Sequence, residues 1–239
     1  MKIINHSFFL IKLFDKYELH EVERLEIYEI IKNIFLHDEF QRRCTSEFLH
    51  HGNTTLGEHL LEDTIITYLL LSSNKVEYVD LELSLKIAMM HDLYTSPWQN
   101  AKIKKDSIFH QHGFTHPLEA AINSLTWFKD EFKDDYKARV LLDGIIHHMY
   151  PLPVLSYDYN KKNDLELNNY KLLKGISKKH KDMIVESTNR GKIGKVSLSK
   201  SLYLEGRILA RADKIATTKQ LDCFADAKAL LTGKNKKII

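Results

Sequence analysis

Cysteine is nearly missing from this chain: there are two in 239 residues, Cys44 and Cys223. Thiols so few and so far apart make neither a disulfide framework nor a zinc-finger spacing. They fit free thiols in a reducing compartment. Proline (4) and glycine (9) are scarce as well, which leaves few turn signals and favours long helices. No run approaches the roughly 20 apolar residues that a membrane-spanning helix needs. The start has an apolar patch, Phe8 to Ile11, but Lys12, Asp15 and Lys16 interrupt it. It lacks the charged start, apolar stretch and cleavage site of a signal peptide, so a cytoplasmic location without a membrane partner is the expectation. Nor does one charge dominate: 35 Lys+Arg stand against 32 Asp+Glu, a net +3. Such a balance does not point to nucleic acid as a partner.

What remains is an ordinary soluble composition, 44% hydrophobic and 28% charged, with an unusual thirteen histidines. The length allows one large domain or two small ones, with a real core. Apolar residues recur at helical spacing over His20 to Arg43, with Val22, Leu25, Ile30, Ile34 and Phe35 between charges. Thr54 or Thr55 can cap the next helix, which runs to about Leu71, and Glu58 sits three residues after Thr55, as a capping box needs. A third helix spans Leu81 to Leu93. Lys102 to Gly113 reads as a loop. His116-Pro117 opens a fourth helix, Leu118 to about Phe128, with proline in a permitted first-turn position. A fifth, Tyr136 to His148, stops before Pro151 and Pro153. Leu202 to Leu231 reads as one or two final helices. No β pattern and no internal repeat stand out. The fold class is therefore all-α, with residues 1–50 as an N-terminal helical extension packed on a main domain over 51–239. A polar stretch near 156–200 reads as an insertion, mobile or weakly helical, and residues 233–239 as a frayed basic tail.

Histidines and aspartates fall in order on or at the ends of different helices: His59, His91-Asp92, His116, His147-His148 and Asp213. Helical bundles build metal sites by converging such side chains from facing helices. His91-Asp92 follows the apolar run Ile87-Ala88-Met89-Met90, where solvated charges are not expected. Asp213 shares a stripe with Gly206, Ala210 and Thr217, small neighbours that leave space around it. Nitrogen and carboxylate donors without thiolate suit divalent Mn, Fe, Co, Ni or Zn. Paired ions of this kind activate water and clamp a phosphoryl centre.

Several segments together carry a resemblance to a known family. These are Gly57-Glu58-His59, Ala88 to Leu93, His112-Gly113-Phe114-Thr115-His116-Pro117, Ile145 to Pro151, and Arg211-Ala212-Asp213-Lys214. The chain resembles the HD superfamily, and more closely uncharacterised bacterial HD-domain proteins regarded as phosphohydrolases, over about residues 52–218. The resemblance implies an HD-domain helical bundle with two divalent metals, Mn or Fe foremost, with Co, Ni, Zn or Mg as alternatives. His59, His91 and Asp213 would hold the first, Asp92 would bridge, and His116, His147 and His148 would hold the second. His91 and Asp92 would be central to catalysis. Of the adjacent pair, His148 is the stronger ligand candidate, because neighbouring helical residues point about 100° apart. In the superfamily, two adjacent histidines at this position accompany phosphodiester hydrolysis, whereas the related di-iron oxygenases use one.

The resemblance thus implies a metal-dependent phosphohydrolase with a small phosphorylated substrate, a nucleotide foremost. An HD-type mixed-valent di-iron oxygenase and a non-catalytic binding module are the alternatives. The Gly-Tyr-Pro motif of cyclic-di-GMP phosphodiesterases and the Glu-Asp motif of alarmone hydrolases are both missing, so neither substrate is carried over. A homo-oligomer stays open. Among other signals, Arg207, Arg211 and Lys214 share a helix face. Arg211 lies about 200° from Asp213 around a helix, so that stripe reads as a solvated face. Trp98, Lys102, Lys104 and Lys105 read as an exposed loop with some capacity to stack a base and hold phosphate. His51, Asn53 and His112 are candidates to support the ligands.

Overall fold

The computed structural model describes residues 4–74, 78–95, 112–156 and 175–220. Within them the chain is predominantly α-helical: α1 (Ile4–Lys16), α2 (Glu21–Phe35), α3 (Asp38–Arg43), α4 (Leu56–Asn74), α5 (Leu81–Met90), α6 (His112–Trp127), α7 (Asp135–Ile146), α8 (Lys178–Asn189) and α9 (Leu204–Gln220). No helix among the described residues is long and apolar enough to cross a membrane.

Helices α4, α5, α7 and α9 form the centre. There α4 packs on α5 and α9, while α5 also packs on α7 and α9. α5 shows why: Leu83 through Met90 are all buried, so this short helix is surrounded rather than amphipathic. Asp80 caps it by accepting from the Leu83 backbone N–H at 3.0 Å. The expected capping box at the start of α4 is formed, with Thr55 N–H donating to the Glu58 carboxylate at 2.8 Å. In return the Glu58 N–H donates to Thr55 Oγ1 at 3.2 Å. Outside this centre, α1 packs on α4, α2 on α5, α6 on α7 and α8 on α7. One hydrophobic core runs from Leu10 to Leu209.

The span from His20 to Arg43 is two helices, not one. His37 breaks it by capping α3, its Nδ1 accepting from Glu39 N–H at 3.2 Å. The buried stripe of α2 is Ile27, Ile31, Ile34 and Phe35, while Val22 and Leu25 face solvent. α6 begins a turn before His116, with Pro117 inside its first turns. Short strands, invisible to a period-two search, also occur. β1 (Leu49–His51) pairs antiparallel with β2 (Thr54–Thr55), and β3 (Val154–Leu155), β4 (Lys192–Ile193) and β5 (Val196–Ser197) form a small antiparallel sheet ordered β3-β5-β4. α8, β4 and β5 all fall inside the polar stretch. Several of that stretch's ties to the centre converge on one carboxylate. Asp143 of α7 pairs with Arg190 at 2.6 Å. It also accepts from the Ser187 hydroxyl (3.2 Å), the Ser201 hydroxyl (2.7 Å) and the Leu202 N–H (2.7 Å).

Small residues set the approach of α7 to α9. A Cβ on Gly206 would stand 2.6 Å from Gly144 Cα and 2.5 Å from Ser201 Oγ. The stripe of small residues on α9 therefore serves close helix contact at Gly206 rather than empty space near Asp213. Residues 221–239, including Cys223 and the rest of the final helix expected to reach Leu231, lie outside the described residues, as does most of the expected Lys102 to Gly113 loop.

Candidate metal centre

Six of the seven sequence-derived candidates come together where α4, α5, α6, α7 and α9 meet. His59 projects from the first turns of α4. His91 and Asp92 follow the last turn of α5, His116 lies on α6, and His148 follows α7. Asp213 lies on α9. All six are buried or nearly so. Asp92 is central: its Oδ1 lies 3.1 Å from His116 Nε2 and 3.2 Å from His148 Nε2. Its Oδ2 faces the other side, 3.8 Å from His59 Nε2 and 3.9 Å from His91 Nε2. Asp213 Oδ1 lies 3.6 Å from His59 Nε2 and accepts from the Thr217 hydroxyl at 3.2 Å.

Two further residues enter that the sequence pattern does not single out. Asp63, one turn after His59 on α4, is fully buried; its Oδ2 lies 3.2 Å from His59 Nε2 and 3.4 Å from His91 Nε2. His50, on β1, stacks on His59 with ring centroids 4.1 Å apart. Its Nε2 lies 3.7 Å from Asp92 Oδ2, and its Nδ1 is 3.3 Å from the Tyr94 hydroxyl. The spacing from His59 to Asp63 is a readable signal, since i and i+4 share a helix face. His50 leaves no such trace, because a short strand delivers it.

His147 does not join. The α-helix ends at Ile146, and His147 occupies the cap position with its ring turned away from the cluster. Its Nε2 meets the Ser187 carbonyl (3.2 Å) and hydroxyl (3.1 Å), and its Nδ1 the Ser199 hydroxyl (3.3 Å). Burial pushes its pKa down to about 4. Of the expected pair, only His148 faces the cluster. Among the supporting candidates, Asn53 is exposed in the β1–β2 turn. The side chains of His51 and His112, and all of Trp98, Lys102, Lys104 and Lys105, lie outside the described residues.

The protonation of the cluster shows what it requires. His91 Nδ1 sits 2.9 Å from the Ala88 carbonyl, and His148 Nδ1 sits 2.7 Å from the Ile145 carbonyl. A carbonyl oxygen only accepts, so each Nδ1 carries a proton, and in the neutral ring Nε2 offers its lone pair to the cluster. His91 is neutral: burial drives its pKa down to about 4 against the pull of Asp92. Its Nε2 lone pair then faces Asp63 Oδ2, an acceptor facing an acceptor. Neither oxygen of Asp63 nor Nε2 of His91 makes a hydrogen bond among the described residues. Asp63 is correspondingly held well above the usual carboxylate range, by burial first and by the charges of Asp213 and Asp92. Burial acts on Asp92 in the same sense, but the neighbouring histidines, His116 foremost, outweigh it and hold its carboxyl well below that range.

A buried carboxyl that faces a lone pair without a hydrogen bond, as Asp63 faces His91, is costly unless a cation stands between them. The spacings allow one. Donors about 2.0–2.2 Å from an ion stand about 3.0–3.5 Å apart. His59, Asp63, His91 and Asp213 each offer an atom within 4.8 Å of the others, as do His91, Asp92 and His148, and His50, His59 and Asp92. This is a buried His/Asp cluster with donors at metal-binding distances, and its chemistry fits a divalent cation.

No family model matches the chain, and neither the curated proteins nor the solved structures yield a match.

Proposed function

We propose that the protein is a metal-dependent phosphohydrolase of the HD type, acting on a nucleotide or other small phosphoester. The observation that supports a metal is carbonyl-tied His91, whose Nε2 lone pair faces the buried Asp63 carboxyl with no hydrogen bond among the described residues. On this reading His59, Asp63, His91 and Asp213 hold one divalent ion. His116 and His148 hold a second, with Asp92 between the two. Bound ions of this class supply Lewis-acid activation of water and neutralise charge on phosphoryl oxygens. The chain's own part is orientation. The Ala88 and Ile145 carbonyls fix the tautomers of His91 and His148, and α5 holds Asp92 with one oxygen toward each histidine group. His50 stacks on His59 and braces its ring. The hydrolytic half of the proposal rests on the motif resemblance to the HD superfamily, and fold-level likeness alone does not fix chemistry.

One observation favours a second reading. With His147 turned to Ser187 and Ser199, the motif supplies a single histidine, the pattern associated with di-iron oxygenases on this scaffold. The decisive experiment measures metal content, cleavage of a generic phosphodiester and a nucleotide panel, and oxygen uptake on one Mn- or Fe-loaded sample. Bound metal with ester cleavage, both lost in Asp92→Ala, is the expected result. Iron with oxygen uptake and no cleavage replaces the hydrolase with the oxygenase. No bound metal overturns both.

A further inference from the structure

The stripe Arg207, Arg211 and Lys214 does not simply face solvent. Together with Lys200 it lines a cavity of about 370 Å³ beside the last turn of α7, whose remaining wall includes Tyr150 and His147. That volume is within the range of small-molecule sites. No carboxylate lines it. Among the described residues, none of the four cations lies within 4.0 Å of a carboxylate oxygen. Two of them are held in place by neutral carbonyls. Arg207 donates through Nε to Ser201 O (2.8 Å) and through Nη2 to Leu202 O (3.0 Å), and Lys214 donates to Tyr150 O at 2.5 Å. Carbonyls position these groups without neutralising them. Lys200 and Arg211 make no side-chain hydrogen bond among the described residues, and both are exposed.

Four positive charges around one concavity, unpaired with carboxylates among the described residues, focus an attractive field for anions. Guanidinium forks match the oxygens of phosphate with two parallel hydrogen bonds. None of the cluster donors lines the cavity: His147 and Lys214 do, while their neighbours His148 and Asp213 face the cluster. We propose that this pocket binds a phosphate-type polyanion, of the class of inorganic tripolyphosphate or the phosphate chain of a nucleotide, at a site separate from the His/Asp cluster. The site stands whether or not the cluster holds metal.

The test is calorimetric titration of the full, chelator-treated chain with inorganic tripolyphosphate at low and at physiological ionic strength. Saturable binding that weakens with salt is expected. The double variant K200E/R211E, chosen because neither side chain supports the fold, should bind about ten- to a hundredfold more weakly or worse. Its circular dichroism, melting temperature and Mn content should match those of the parent. Asp92→Ala should bind tripolyphosphate like the parent. Absence of saturable binding, equal affinity in K200E/R211E, or loss of binding in Asp92→Ala with retention in K200E/R211E would each overturn the proposal. The last result would put the anion at the cluster instead.

Discussion

Replacing Asp63 with Asn changes one atom and should act with opposite signs on the metal-free and metal-loaded protein. In the structure both Asp63 oxygens are buried, make no hydrogen bond among the described residues, and lie in the field of Asp92 and Asp213. Without metal, the carboxyl is a burden, and replacing it by an amide that cannot ionise and can donate to His91 Nε2 should stabilise the fold by about 1–3 kcal/mol near neutral pH. For a chain of this size that is a rise in melting temperature of roughly 2–10 °C. The pH dependence carries its own sign. A carboxyl whose folded pKa is raised keeps its proton where the unfolded chain has released it. Its contribution to stability is therefore complete below the unfolded value of about 3.9 and is lost as pH rises through the folded value. The advantage of the Asn variant over the parent should thus be small at acid pH and grow toward neutrality. With metal bound the sign reverses. A ligand is missing, and divalent-ion affinity should fall by at least about a hundredfold, beyond what outer partners of metal ligands usually contribute. Thermal scans of chelated and Mn-loaded samples across pH, with metal titration, measure both arms. If Asp63→Asn destabilises the metal-free protein and leaves metal affinity unchanged, Asp63 is a protonated core carboxyl and the four-donor group at His59 is wrong.

Two further predictions separate neighbours. His148→Ala should lower metal content, whereas His147→Ala should leave it unchanged and instead loosen the packing of α8, read as lower melting temperature and faster amide exchange over Lys178–Asn189. Gly206→Ala should cost about 1–3 kcal/mol in urea unfolding, because its Cβ meets Gly144 and Ser201 at sub-contact distance. An unchanged midpoint would mean that α7 and α9 pack more loosely than described.

Much of the helical frame was legible from apolar spacing and capping chemistry, Thr55 with Glu58 above all. Where the frame escaped, a local interaction overrode the period. His37 is an uncommon cap set in an unbroken apolar rhythm. The α8 segment has a polar composition, with Met183, Ile184, Ser187 and Thr188 as its buried face. The strands are two or three residues long, too short for alternation to show. The cluster was legible in six residues because each lies on or at the end of a different helical run, His91 and Asp92 sharing one. Asp63 escaped because, following Glu62, it reads as part of a solvated acidic pair. His147 was included because sequence adjacency to His148 says nothing about where α7 unwinds.

The convergence on Asp143 bears on how any mutational scan of this protein should be read. No atom of Asp143 belongs to a donor group, yet it fastens α7, which leads into His148, to the chain that enters α9 and presents Asp213. Asp143→Ala should therefore score as a loss of metal, and a scan ranked by metal content alone would count it among the ligands. Only a readout that registers donor identity, such as the absorption spectrum of a Co-substituted sample, would tell the residue that grips the scaffold from those that grip the ion.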